Sequence, residues 1–205
     1  MIKQLLIVVV LASATMPVLA QQAPPDKLTS SGALFGVRES VQQIDISPDG
    51  KHIAYVAPGP GRSSAVYVAD LATGTPQQVL QSVGNPHRLA WCNFVSNSRL
   101  ICQLMGQIND AGLLVPFSRL IAVDTDGKNI KMLGQSSSHY DARARQFDGE
   151  VLDWLPDAEG AVLMARQYVP EEGNIGTRFV RNMDGLGVDR VDSSTLRSTP
   201  VEAPS

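Results

Sequence analysis

Histidine, cysteine and aromatic side chains are scarce in this 205-residue sequence: three His, two Cys and 5% Phe, Trp and Tyr. Two cysteines exclude a disulfide-dense miniprotein and a four-Cys zinc site. Three isolated histidines leave little for metal binding. Positive charge is in no excess, with 17 Lys+Arg against 20 Asp+Glu, and no basic cluster occurs. Nucleic acid is therefore not an expected partner. Past Val41 no helical apolar period is sustained over three turns. No second apolar run is long enough to span a bilayer, so no membrane association is expected once the N-terminal segment is removed. What remains, 43% hydrophobic and 18% charged, is an ordinary globular balance.

The N-terminal segment reads as an address. Lys3 makes a positive start, Leu5 to Ala14 is apolar and small, and Val18 and Ala20 fit a small-residue cleavage site after Ala20. This predicts a secretory signal peptide over residues 1–20. The alternative is an uncleaved anchor, for which the apolar core is short. A periplasmic or secreted location is expected. Residues 21–40, polar at first and with two adjacent prolines, are expected to be a tether.

Beyond it, short runs of Val, Ile, Leu and Tyr alternate with Gly, Pro, Asp and Asn, which predicts an all-β fold. Val41 to Ile46, His52 to Ala57, Ala65 to Asp70 and Gln77 to Leu80 form a four-strand meander, with a type I turn at Ser47-Pro48-Asp49-Gly50. The order recurs at His87 to Asn93, Arg99 to Leu104, Phe117 to Asp124 and Asn129 to Leu133. A third copy starts at Glu150 to Leu155, returns at Ala161 to Tyr168 and continues at Gly187 to Val191. Asp70, Asp124 and Asp192 close the third strand of each copy. Loops are expected at Gly106 to Pro116 and Pro170 to Gly185, and Ser193 to Ser205 matches no recognisable element. The expectation is a partial β-propeller of about three four-stranded antiparallel blades, near 41–83, 84–138 and 149–205. Repeated four-stranded sheets in an open pair are the alternative.

Ile46-Ser-Pro-Asp-Gly-Lys-His-Ile-Ala-Tyr-Val56, followed by Val66 to Asp70 and Gly74, resembles the WD40-like propeller repeat of secreted bacterial proteins. With Leu89-Ala-Trp91-Cys92, Arg99-Leu-Ile-Cys102 and Val151-Leu-Asp-Trp154-Leu-Pro-Asp157, the chain resembles the N-terminal propeller of prolyl-oligopeptidase-family serine peptidases, the dipeptidyl/acylaminoacyl-peptidase branch. The Ser-Pro-Asp-Gly turn also occurs in the Tol-system periplasmic propeller protein. The resemblance implies a propeller that gates access to a Ser-Asp-His α/β-hydrolase domain and helps select short peptides. That domain is missing from this chain. Its Gly-x-Ser-x-Gly elbow fails at Gly61-Arg-Ser63-Ser64-Ala65 and at Gly134-Gln-Ser136-Ser137-Ser138. The chain is expected to be inactive alone, and a free-standing periplasmic module binding a protein or envelope component is the other reading.

No residue is assigned a catalytic, cofactor-binding or metal-binding role. His52, His87 and His139 have no Ser or Cys in sequence that they must activate. Asp124-Thr-Asp126-Gly127 suggests calcium, but Gly stands fourth and Gln135 occupies the twelfth place, so a turn is expected. Gly173 to Gly176 and Gly185 to Gly187 are expected to be hairpin turns rather than phosphate loops. Glu171 and Glu172 sit in an exposed loop with no assigned role. Trp91, Trp154, Phe94, Tyr55 and Tyr67 are expected to pack between blades.

Cys92 and Cys102 fall on adjacent strands of the second repeat. Regular pairing sets Cys92 against Leu100 and Cys102 against Ala90, which leaves the cysteines diagonal, about 7–8 Å apart. A bulge at the turn would bring them opposite. The oxidising compartment favours a disulfide, and the family resemblance includes this pair; two small buried hydrophobes are the other outcome.

Overall fold

Turn chemistry sets the strand boundaries. In the first turn, the Gly50 amide donates to the Ser47 carbonyl at 2.8 Å, as a type I turn requires. The Ser47 hydroxyl donates to Asp49 Oδ1 and accepts from the Lys51 and His52 amides, which closes the turn on itself. Among the described residues, twelve strands follow from such punctuation. The computed structural model describes residues 36, 38–173 and 180–204, and within these no helix occurs. The predicted signal peptide, nearly all of the tether, and Gly176 lie outside the described residues.

The strands are β1 Gln43–Ile46, β2 His52–Pro58, β3 Ser64–Asp70, β4 Pro76–Ser82, β5 His87–Ser96, β6 Arg99–Asp110, β7 Leu113–Asp124, β8 Lys131–Met132, β9 Glu150–Asp153, β10 Ala161–Tyr168, β11 Gly185–Asp192 and β12 Ser198–Glu202. They form three four-stranded sheets, each a meander in chain order with antiparallel neighbours. This is a partial all-β propeller of three blades, as the repeats predict. The three aligned aspartates end β3, β7 and β11.

Three expectations are corrected. The segment Gly106 to Pro116 is not a loop: β6 and β7 pair from Arg99–Asp124 out to Asp110–Leu113. Ala111 and Gly112 turn the chain with φ of 50° and 90°, a two-residue hairpin of the primed kind. Pro116 sits inside this arm opposite Gln107. Second, the polar C-terminal stretch supplies β12, the fourth strand of the third sheet. All five of its residues are exposed, so no apolar alternation marks it. Third, β8 is only two residues long, because Asp148 and Gln146 occupy the edge of β7 beside it: the Leu120 and Ser118 amides donate to the Asp148 carboxylate and the Gln146 carbonyl.

The middle sheet is buried on both faces, which explains the unbroken apolar runs Leu100 to Cys102 and Leu120 to Val123. One face, with Leu89, Cys92, Phe94, Leu100, Cys102 and Val123, packs on Ala54, Val56, Val66 and Val68 of the first sheet. The other, with Val95, Ile101, Leu120 and Ala122, packs on Val162, Met164 and Val191 of the third. Burying side chains of this size stabilises by about 1.5–3 kcal/mol each. The inner edge of the middle sheet, β5, is capped by polar groups of the first blade. The Leu89, Cys92 and Phe94 amides donate to Ser64 Oγ, Gln43 Oε1 and Asp45 Oδ2. Gln43 and Asp45 thus turn inward, and Ile44 and Ile46 are left 59% and 55% exposed.

Candidate functional site

A cleft of about 710 Å³ opens where the inner strands of the second and third blades meet. β5 contributes Trp91 and Asn93, β6 contributes Gln103, and the third blade contributes Glu150 and Trp154. Trp91 reaches this cleft because of a bulge. The register of β5 against β6 shifts between Leu89 and Trp91, which turns Trp91 to the face opposite Leu89. Its ring meets Trp154 edge to face, centroids 6.1 Å apart, a favoured aromatic geometry. The lining therefore joins two indoles, Phe147, the three amide side chains of Asn93, Gln103 and Gln167, and one carboxylate. Apolar walls with a few polar groups suit a small amphiphilic ligand with amide groups.

The aromatic expectation holds for Trp91, Trp154 and Phe94, which lie between blades. It does not hold for Tyr55 and Tyr67. These are cross-strand partners stacked on each other at 5.4 Å, on the face of the first blade turned away from the second.

The histidines are dispersed. His52 Nε2 lies 3.8 Å from Asp70, opposite it across β2 and β3. His87 Nδ1 lies 3.2 Å from Ser82 Oγ. That hydroxyl donates its proton to the His87 carbonyl, so the ring is placed to donate to the serine rather than to take its proton. His139 packs edge to face on Tyr140. The Asp124-Asp126 segment is a turn: Gly127 N donates to the Asp124 carbonyl at 2.8 Å, and Asp126 is paired with Lys128 at 2.8 Å. Among the described residues no group of three His, Cys, Asp or Glu is placed to hold a metal.

The ionisable groups gather around residues 134–148 instead. Arg145 pairs with Asp141 at 2.7 Å, and Arg181 bridges Asp141 and Glu171. The Ser138 amide, then Arg145 and Arg181, hold the Asp141 carboxyl below the usual carboxylate range. Burial pushes the Asp148 carboxyl up, against the Leu120 amide and the Arg119 guanidinium 3.7 Å away. Gly134 leaves room for it: a Cβ there would meet the Asp148 oxygens at 2.6 Å. Arg166 is buried beside Asp189, and burial lowers its pKa. Burial and a hydrogen bond to Asp189 push the Tyr168 hydroxyl up to about 12. This network locks the segment between the second and third blades; sequence reasoning passed over it because its members are scattered from 119 to 189.

Cys92 and Cys102 are joined as a cross-strand disulfide with Cα atoms 4.0 Å apart. They are direct partners, not diagonal neighbours. A second register shift, between Phe94 and Ser96, makes the difference. The cysteine sulfurs lie in the core between the first two blades, wholly buried.

No protein-family model matches the chain, and no curated protein matches it. Among solved structures, the chain is similar to acylaminoacyl peptidase of Pyrococcus horikoshii, at 16% identity and TM-score 0.46, covering 81% of this chain and 26% of that one. It is similar to TolB of Acinetobacter baumannii at 16% identity and TM-score 0.40, covering 80% and 44%. It is also similar to the β-propeller domain of the Trilobed protease from Pyrococcus furiosus, at 15% identity and TM-score 0.32, covering 80% and 57%. The chain thus spans about a quarter of the length of the acylaminoacyl peptidase it matches.

Proposed function

We propose that the chain is the non-catalytic, substrate-screening propeller portion of a periplasmic or secreted prolyl-oligopeptidase-type serine peptidase that acts on short peptides. The observation that supports the reading most is the cleft between the second and third blades. Its indoles offer stacking surfaces and its amides offer hydrogen bonds. A short peptide presents the complementary groups: apolar side chains and an unpaired backbone. A short or extended chain brings such unpaired groups to the cleft more readily than the hydrogen-bonded backbone of a folded protein.

The chain has two tryptophans, and both line this cleft. Intrinsic fluorescence therefore reports on it directly. Titration with peptides of a few residues is expected to give a saturable change, and Trp154→Ala is expected to weaken it. A small folded protein is expected to give none. No response to any short peptide, with a response to a folded periplasmic protein instead, would favour a free-standing binding module. The screening role itself is checked by adding the chain to an isolated prolyl-oligopeptidase-type hydrolase domain. Cleavage of a long unfolded substrate is expected to fall relative to that of a short one.

A further inference from the structure

A second cleft, of about 580 Å³, opens between the first and second blades. Arg38, Arg62 and Arg88 line it together with His87, and among the described residues no carboxylate does. The chain as a whole carries a net charge of −3, so three cations gathered without a counter-charge run against its overall balance. They are scattered in the sequence, which is why no basic cluster is legible there. Arg38 is committed to the fold: its guanidinium donates to the Ser63 and Gly59 carbonyls. Arg62 and Arg88 are not. Among the described residues, neither guanidinium has an ion-pair or hydrogen-bond partner.

The backbone that carries these two side chains is closely packed. Gly84, at φ of 79°, lies so near the Arg62 backbone that a Cβ there would sit 2.1 Å from the Arg62 carbonyl oxygen. Gly106 leaves room for the Pro86 carbonyl oxygen and the Phe117 ring, which would meet its Cβ at 2.6 and 2.7 Å. The Ser82 hydroxyl, donating to the His87 carbonyl, fixes the start of β5. The two unpaired guanidinium groups therefore stand on a framework that is set before any ligand arrives.

Strand β5 joins this cleft to the one that holds the two indoles. Leu89 and its partner Leu104 face the first blade. Arg88 and its partner Met105 are their immediate neighbours on β5 and β6, so they take the opposite face. The bulge puts Trp91 and its partner Gln103 on that same face. Met105 and Gln103 are two positions apart on β6, so the two rows lie about 7 Å from each other. An extended peptide covers that distance in about two residues. We infer that the basic cleft binds the carboxylate of a short peptide, about two residues beyond the side chain that rests on the indoles. Arg62 and Arg88 supply the charge-assisted donors, and the planar fork of a guanidinium matches a carboxylate. The inference rests on the peptide reading of the indole cleft and adds the charged group that orients the peptide on it.

The test is a tryptophan-fluorescence titration with an N-acetylated apolar tripeptide in three forms: the free acid, the C-terminal amide, and an amide whose last residue is Glu. The proteins are the wild type, Arg62→Gln, Arg88→Gln and, as a control with the same change of charge at an exposed position of the third blade, Arg190→Gln. Wild type is expected to bind a carboxylate-bearing peptide at least about tenfold more tightly than the neutral amide. Preference for the free acid assigns the site to a peptide C-terminus, and preference for the Glu amide assigns it to an acidic side chain. In Arg62→Gln and Arg88→Gln the preference is expected to shrink to about twofold or less, with the affinity for the neutral amide unchanged. Arg190→Gln is expected to keep it. Far-UV circular dichroism confirms that each variant keeps its sheets. Equal binding of the three peptides by the wild type, a preference that survives in both cleft variants, or one lost equally in Arg190→Gln would overturn the inference and leave the peptide reading standing. No response to any of the three would overturn both.

Discussion

Arg99 opens β6 directly opposite Asp124, the last residue of β7, and the two side chains form an ion pair. The same place in the first blade holds His52 opposite Asp70. Only the second blade uses the pair to hold its neighbour. The Arg99 guanidinium, 4% exposed, also donates to the Ser193 carbonyl at 2.8 Å and the Asn129 carbonyl at 3.1 Å. Ser193 follows β11, so one side chain ties the second blade to the third.

Loss of that guanidinium leaves a carboxylate and two carbonyls short of a donor. Asp124 is part-exposed and keeps the Asn129 amide as a donor, so Arg99→Ala is expected to cost about 1–3 kcal/mol, the usual range for leaving buried acceptors unsatisfied. Arg99→Lys should recover only part of this, since an ammonium cannot reach three acceptors in a planar fork. Urea midpoints of the three proteins settle it. A loss below about 1 kcal/mol, as for an exposed pair, would show that Arg99 is not the tie.

Two carboxyls are expected to give stability profiles of opposite sign. The Thr195 and Ser194 amides hold Asp192 below the ordinary 3.8. Its folded pKa lies below its unfolded one, so its contribution is full above about pH 4 and is lost as pH falls through the folded value. Burial raises Asp148 above 3.8. Its contribution is full below about pH 4 and is lost as pH rises through the folded value. Asp192→Asn should flatten the acid side of the stability profile, and Asp148→Asn the side just above it. Unfolding midpoints taken at intervals from acid to neutral pH check both. A flattening on the same side in both variants would contradict the assignment.

The strands that were legible in the sequence are those whose alternation or apolar runs reflect burial. Ala65 to Asp70 and Ala161 to Tyr168 are found within a residue of their expected limits. The elements missed had no such signal. β12 is exposed throughout, and the outer half of the β6–β7 arm is mostly exposed and contains Pro116. The Trp91–Trp154 cleft was legible only as two aromatics near strands. Its geometry depends on where β5 bulges, and nothing local in Leu89 to Ser96 states that. The buried network of Asp148, Arg166 and Asp189 depends on tertiary placement alone.

The arm itself gives a prediction. Ala111 holds φ at 50°, a conformation unfavourable for a residue with a Cβ and no side-chain acceptor. Asn followed by Gly is the preferred pair for this turn. Ala111→Asn is expected to stabilise the hairpin by a few tenths of a kcal/mol up to about 1. Hydrogen exchange of the Asp110 and Leu113 amides should slow accordingly. Faster exchange, or a drop in the melting midpoint, would show that the turn is not of this type.

The last prediction concerns the paired cysteines. Both are wholly buried, so a reductant should reach the bond only when the strands separate. The bond closes a loop across a sequence separation of 10. On the chain-entropy account such a loop contributes about 3 kcal/mol, chiefly by restricting the unfolded chain. In protein exported through the secretory route, thiol counting in denaturant without reductant should find no free thiol. Replacing both cysteines by alanine should cost that amount plus the lost packing of two buried sulfurs, while either single variant should show one free thiol. Two thiols per wild-type chain would reject the bond and leave the pair as core packing.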